Sequence, residues 1–131
     1  MSKVGDFMST TIYSVCPDEN AYEAVEKMYQ NNIGALLVKE GEEYVGMFTK
    51  TDWMFLVLRG ESDPKTMKVS SLMTKLEYTI DWDQTIAEVC AIIEKNHIRH
   101  IPVTKENNIV GMLSVKDLEK YYLQLHKKTD F

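Results

Sequence analysis

Apolar residues fall at Ala21, Ala24, Val25 and Met28, and again at Ile86, Val89, Cys90 and Ile93. Both sets have the i, i+3, i+4, i+7 spacing that lays one stripe along a helix. Two amphipathic helices are therefore expected, with Cys90 in the core as a small apolar residue. Each helix carries a start signal: Asn20 with Glu23 in the first, where Asp18 is a rival cap, and Thr85 with Glu88 in the second. Asn31 with Asn32, and Asn96, read as their ends. Short, partly β-branched runs precede the helices, at Tyr13, Ser14, Val15 and at Tyr78, Thr79, Ile80. Apolar runs follow at 35–38 and 98–103, then turns at EGEE and KENN, then further runs at 44–48 and 109–113. These predict strand, turn and strand, with Gly46 and Gly111 inside the second strand. Glycine there marks a bulge or a close approach by something else. A last helix begins near Thr49 or Ser114. The order is β-α-β-β-α, twice.

The duplication extends to single residues. Shifted by 65, residues 4–58 lie without a gap over 69–123, and 13 of the 55 pairs are identical. Roughly 3 would coincide by chance at ordinary composition. Such self-similarity fixes architecture. Between the copies the polar RGESDPKT, with Gly and Pro, reads as a join. The expected division is repeat 1 over 1–60, a linker at 61–68, and repeat 2 over 69–131 with a C-terminal helix and short tail. One unit alone would leave its sheet half covered. The copies are expected to pack face to face about a pseudo-twofold axis, in an α/β (α+β) fold.

Composition narrows the classes of function. The chain has 131 residues, 44% of them hydrophobic, which suits a single domain or two joined halves. Its net charge of −5 argues against a nucleic-acid surface. No apolar run reaches the roughly 20 residues of a membrane span. MSKVGDFMS lacks the apolar centre of a signal peptide. Cys16 and Cys90 form neither a disulfide framework nor a C-x-x-C pair, so reduced thiols and a cytoplasmic setting are expected. His97 and His100, three apart on an expected strand, would face opposite ways and share no metal. No nucleophile elbow or phosphate loop occurs, so no enzyme is expected.

The heads VGDFMS and VSSLMT, followed by NIGALLV with VGMFTKTD and by HIRHIPV with VGMLSVKD, resemble a tandem pair of CBS domains, a Bateman module, over nearly all of residues 4–123. The resemblance implies a regulatory sensor that binds adenine nucleotides or related adenosyl ligands in clefts between the repeats. AMP, ADP or ATP come first as ligands, ahead of S-adenosylmethionine, NAD or cyclic di-AMP. The alternative is an interaction scaffold whose Asp residues serve only as caps. The regulated protein is expected to be a separate chain.

The doubled S/T-x-x-D frame has chemistry of its own. Thr49 and Ser114 can cap the next helix while Asp52 and Asp117 answer from its first turn. A carboxylate also accepts from the two adjacent hydroxyls of a ribose, and a helix start suits phosphate. Lys50 and Lys116 lie within reach of phosphate. Arg99 and His100 precede Pro102 in repeat 2, where repeat 1 has Gly34, Ala35 and Leu37, so two unequal sites are expected. The resemblance implies that adenine lies against the first and second strands of one repeat while the other repeat supplies the Asp. That groups Tyr78, Thr79, Ile80, Ile98 and Arg99 with Thr49 and Asp52. It groups Tyr13, Ser14, Val15, Ile33 and Gly34 with Ser114 and Asp117. The Arg favours the first group for a phosphorylated ligand.

WMFLVL, residues 53–58, is apolar on every side of a helix. Such a helix is buried on more than one face. A homodimer through it and its counterpart LEKYYL is expected; the alternative is cover by the linker and the tail LQLHKKTDF. The methionines, Met28, Met47 and Met112 among them, are expected as core filling.

Overall fold

The computed structural model describes residues 2–60 and 63–127. A 3-10 turn at Val4–Asp6 precedes β1 (Ser14–Val15), α1 (Ala21–Asn31), β2 (Ala35–Glu40), β3 (Glu43–Thr49) and α2 (Lys50–Arg59). Then come α3 (Val69–Leu72), β4 (Ile80–Asp81), α4 (Ile86–Asn96), β5 (His100–Lys105), β6 (Asn108–Ser114) and α5 (Val115–His126). Both expected β-α-β-β-α series are present. Each forms a three-stranded sheet, ordered β1-β2-β3 and β4-β5-β6, whose first pair is parallel and second antiparallel.

The helix signals act as expected, and Asn20, not Asp18, caps α1 by accepting from the Glu23 N–H. Thr85 and Glu88 form a reciprocal box at α4. The helices end in left-handed caps at Asn32 and His97. His97 therefore ends a helix and only His100 lies on a strand; the strand argument applied to this pair does not hold. The hairpin turns differ in their chemistry. Gly41 takes a positive φ in the first, while both Glu106 and Asn107 do so in the second.

Two separate cores result. Val15, Ala21, Ala24, Met28, Leu36, Val38, Phe48, Leu56 and Val69 form one; Val4, Ile80, Ile86, Val89, Ile101, Val103 and Leu113 form the other. Each contains one valine from the opposite repeat's head. The compact units accordingly run from Tyr13 to Glu77, and from residues up to Ile12 together with Tyr78 onward. Self-similarity and packing thus cut the chain at different places. Fully burying a valine is worth about 1.5–3 kcal/mol, so Val4 and Val69 anchor the exchanged heads.

The heads also explain the doubled V-G-M. Thr74 and Met47 exchange backbone hydrogen bonds of 2.8 and 2.9 Å. Ser9 and Met112 do the same at 2.8 and 2.9 Å. A Cβ on Gly46 would stand 2.9 Å from the Thr74 carbonyl oxygen, and one on Gly111 would stand 2.7 Å from that of Ser9. Only bare backbone lets the head cross so closely. Beside each glycine the ladder also slips, between Val38 and Lys39 and between Val103 and Thr104.

Within the expected linker, residues 63–68 are tied to the start of α1. The Ala21 and Tyr22 N–H groups donate to the Met67 and Pro64 carbonyls. Linker residues 61–62 and tail residues 128–131 lie outside the described residues.

Two packing expectations need correction, those for Cys90 and for Met54. Cys90 is exposed. The stripe on α4 centres on Ile86 and Val89, with Ile93 half-buried, and Cys90 falls on its flank where repeat 1 has the half-buried Val25. Its thiol is pushed up by partial burial and then by Glu94. Met54 is exposed rather than core filling. Of WMFLVL only Leu56 is buried and Trp53 half-buried, while Met54, Phe55, Val57 and Leu58 face outward.

Candidate ligand site

Each hairpin delivers a hydroxyl residue to the start of a helix. Thr49 closes β3 opposite Ala35, and Ser114 closes β6 opposite His100. Both keep extended backbone at the starts of α2 and α5, where the Ser114 hydroxyl accepts from the Asp117 N–H at 3.4 Å and the Thr49 side chain makes no matching cap bond. The next residue is pinned across the hairpin: the Lys50 N–H donates to the Gly34 carbonyl at 3.1 Å, and the Val115 N–H to that of Arg99 at 3.0 Å. One unit thus gathers Ile33, Gly34, Thr49, Lys50 and Asp52. The other gathers Ile98, Arg99, His100, Ser114, Lys116 and Asp117. Lys50, Arg99 and Lys116 are exposed.

The two carboxylates are held alike at one oxygen. Asp52 Oδ2 accepts from the Thr49 N–H at 2.8 Å and its hydroxyl at 3.3 Å. Asp117 Oδ2 accepts from the Ser114 N–H at 2.8 Å and its hydroxyl at 3.1 Å. At the other oxygen they part. Asp52 Oδ1 accepts from the Thr74 hydroxyl at 3.3 Å. Asp117 Oδ1 has no hydrogen-bond partner among the described residues, because Ser9, the counterpart of Thr74, donates to the Thr11 carbonyl instead. Burial pushes the Asp52 carboxyl above its usual value, against the lowering donations of Thr49 and Thr74.

The first strands also differ. The Leu37 N–H donates to the Tyr13 carbonyl at 3.1 Å, and β1 pairs from Ser14. Pro102 has no N–H to give the matching carbonyl of Tyr78. Pairing in the second unit begins one position later, at Ile80 with Val103. Tyr78 and Thr79 are left exposed and outside the ladder. The side chains of Val15, Ile80 and Pro102 are buried, so only their backbone can meet a ligand. Ser14 offers its carbonyl, which already accepts from Lys27.

Sequence reasoning missed Thr74 and Lys27. Thr74 lies 22 residues from Asp52, and only the exchange of heads brings them together. Lys27 sits on α1, on the flank of the apolar stripe, and nothing in the spacing singles it out.

Two stretches, residues 4–59 and 69–124, match the CBS domain, and the chain belongs to the CBS domain family. The YlbB protein of Bacillus subtilis (strain 168) is 34% identical over 122 residues, covering 90% of this chain and 80% of its own. The crystal structure of the CBS domain NE2398 superimposes with a TM-score of 0.88 at 30% identity, over 93% of this chain and 98% of that one. The CBS domain pair of MJ0100, in complex with 5-methylthioadenosine and S-adenosyl-L-methionine, shares the fold at a TM-score of 0.85 and 19% identity, over 95% of this chain and 98% of its own.

Proposed function

We propose that this CBS pair is a regulatory module that senses an adenosyl ligand, with Asp117 and Asp52 as ribose anchors. The observation that carries the reading is the Asp117 carboxylate. Its own cap holds one oxygen and leaves the other without a partner among the described residues, open to the hydroxyls of a vicinal diol. Three features support it. Arg99 and Lys116 offer positive charge beside that helix start, so Arg99 and Tyr78 are assigned to Asp117 in their own unit rather than, as the resemblance implies, to Asp52. The Tyr78 carbonyl, left without a donor by Pro102, suits an exocyclic amine. A pair of the same fold, MJ0100, holds two adenosyl compounds. Regulation follows if the ligand prefers one of two states of the protein or of its assembly. A thermal-shift panel of AMP, ADP, ATP, NAD, S-adenosylmethionine and cyclic di-AMP tests this. A specific ligand at a hundredfold excess over its dissociation constant should stabilise by about 2.7 kcal/mol. No shift with any of them sinks the reading and leaves the scaffold.

The outward face of α2 favours self-association as well. Met54, Phe55, Val57 and Leu58 are each more than half exposed, and contiguous apolar surface of this kind marks an interaction site. We propose that a second copy covers it. Phe55→Glu with Leu58→Glu should lower the mass seen by sedimentation to that of one chain. An unchanged mass would remove α2 from the interface.

A further inference from the structure

We infer that Thr74 is an intramolecular competitor for Asp52, so that the two anchors bind ligand unequally. The inference rests on the adenosyl-ligand reading and adds to it a regulatory contact absent at Asp117. The Thr74 hydroxyl donates to Asp52 Oδ1 at 3.3 Å, while Oδ2 is committed to Thr49. A diol arriving at Asp52 must therefore share Oδ1 with a donor already in place or displace it, and one arriving at Asp117 meets no such donor among the described residues. The contact is also displaceable. Thr74 is exposed, its hydroxyl can rotate away, and its backbone stays paired with Met47 whatever the hydroxyl does. The difference originates in the heads. VSSLMT ends in Thr74 and VGDFMS in Ser9, and the Ser9 hydroxyl turns to the Thr11 carbonyl at 3.5 Å. A ligand that wins Asp52 frees Thr74, on the strap that covers Gly46.

The test uses Thr74→Val, which keeps the β-branched shape and the backbone pairing and removes only the donor. Two readouts are needed. First, without ligand, carbon-detected NMR titration follows the Asp52 carboxyl. Thr74→Val should raise the Asp52 midpoint, because a donor to the charged form is lost. An unmoved Asp52 midpoint overturns the contact. Second, calorimetry with AMP, ATP and S-adenosylmethionine compares wild type, Thr74→Val, and Thr74→Val with Asp52→Asn. Affinity at the Asp52-dependent site should rise roughly threefold to tenfold in Thr74→Val, the range of one net hydrogen bond. Adding Asp52→Asn should abolish the gain. If wild type binds and Thr74→Val binds identically, the competition is refuted while the ligand reading stands. If no variant binds any of the three probes, the ligand reading fails and this inference fails with it.

Discussion

Gly46→Ala puts the exchange of heads to a quantitative test. The added Cβ would lie 2.9 Å from the Thr74 carbonyl oxygen, where ordinary contact needs at least 3.4 Å, and 2.8 Å from Met73 Sδ. The methionine sulfur can swing away, but the carbonyl cannot without disturbing the two hydrogen bonds between Thr74 and Met47. Each is worth about 0.5–1.5 kcal/mol net, so losing both costs about 1–3 kcal/mol. Stiffening the unfolded chain returns about 0.4–1 kcal/mol. The expected net loss is about 0–2.6 kcal/mol, centred near about 1.3, and more if Val69 is dragged from the core. Urea unfolding followed by circular dichroism measures it. Gly41→Ala serves as a contrast: its φ is +62° and nothing stands within 4 Å of the new Cβ, so its cost is backbone strain alone. That strain is worth about 1–2 kcal/mol for a left-handed residue, and it should leave the Asp52 midpoint untouched, whereas Gly46→Ala should raise that midpoint by moving Thr74. A Gly46→Ala protein within about 0.5 kcal/mol of wild type and with an unmoved Asp52 would refute the close crossing.

Other outcomes follow from the same contacts. Asp52 titrates above 3.8 through burial, so its stabilising share is present at low pH and lost as pH rises through its folded value. Wild type should thus gain on Asp52→Asn as pH falls from about 6 to about 3. Glu88 titrates below 4.5, chiefly through the Thr85 N–H, so its share is present above that value and lost on acidification. Wild type should lose ground to Glu88→Gln over the same range, and parallel curves for the two pairs would contradict both assignments. Cys90→Ser should stay within about 0.5 kcal/mol of wild type, as exposed substitutions do; a loss above about 1 kcal/mol would return the thiol to the core. Pro102→Leu restores the missing N–H. Its amide should become protected from hydrogen exchange by the Tyr78 carbonyl, and ligand affinity should fall; an unprotected amide would mean that proline is not what ends the ladder.

Local structure could be read from the sequence wherever one segment determines it. The stripes of α1 and α4, the Asn20 and Thr85 caps and the hairpin strands depend on neighbours within about four residues. The repeat supplied the order of elements without any tertiary information. Cys90 was misplaced because a periodic template treats a stripe's flank and its centre alike. His97 was misread because no glycine announces the end of α4. The pairing of heads with the opposite repeat's V-G-M was out of reach, since Val4 and Val69 match each other in the alignment of the copies while each packs in the other copy's core. Asp52 and Asp117 stand out in the sequence, and Arg99, His100 and Pro102 already make the two sites unequal there, but the contact that separates the two carboxylates does not show. It depends on where two hydroxyls 65 residues apart, on Ser9 and Thr74, point in space.

The doubled helix starts are proposed to hold an adenosyl ligand. Amide chemical-shift mapping with a saturating ligand from the panel tests it most directly. The largest changes are expected at residues 114–117 and at Tyr78 and Arg99, with those at 49–52 appearing at higher ligand concentration, and the first set should be lost in Asp117→Asn. Changes confined to the outward face of α2, or a response that Asp117→Asn leaves intact, would contradict the proposal.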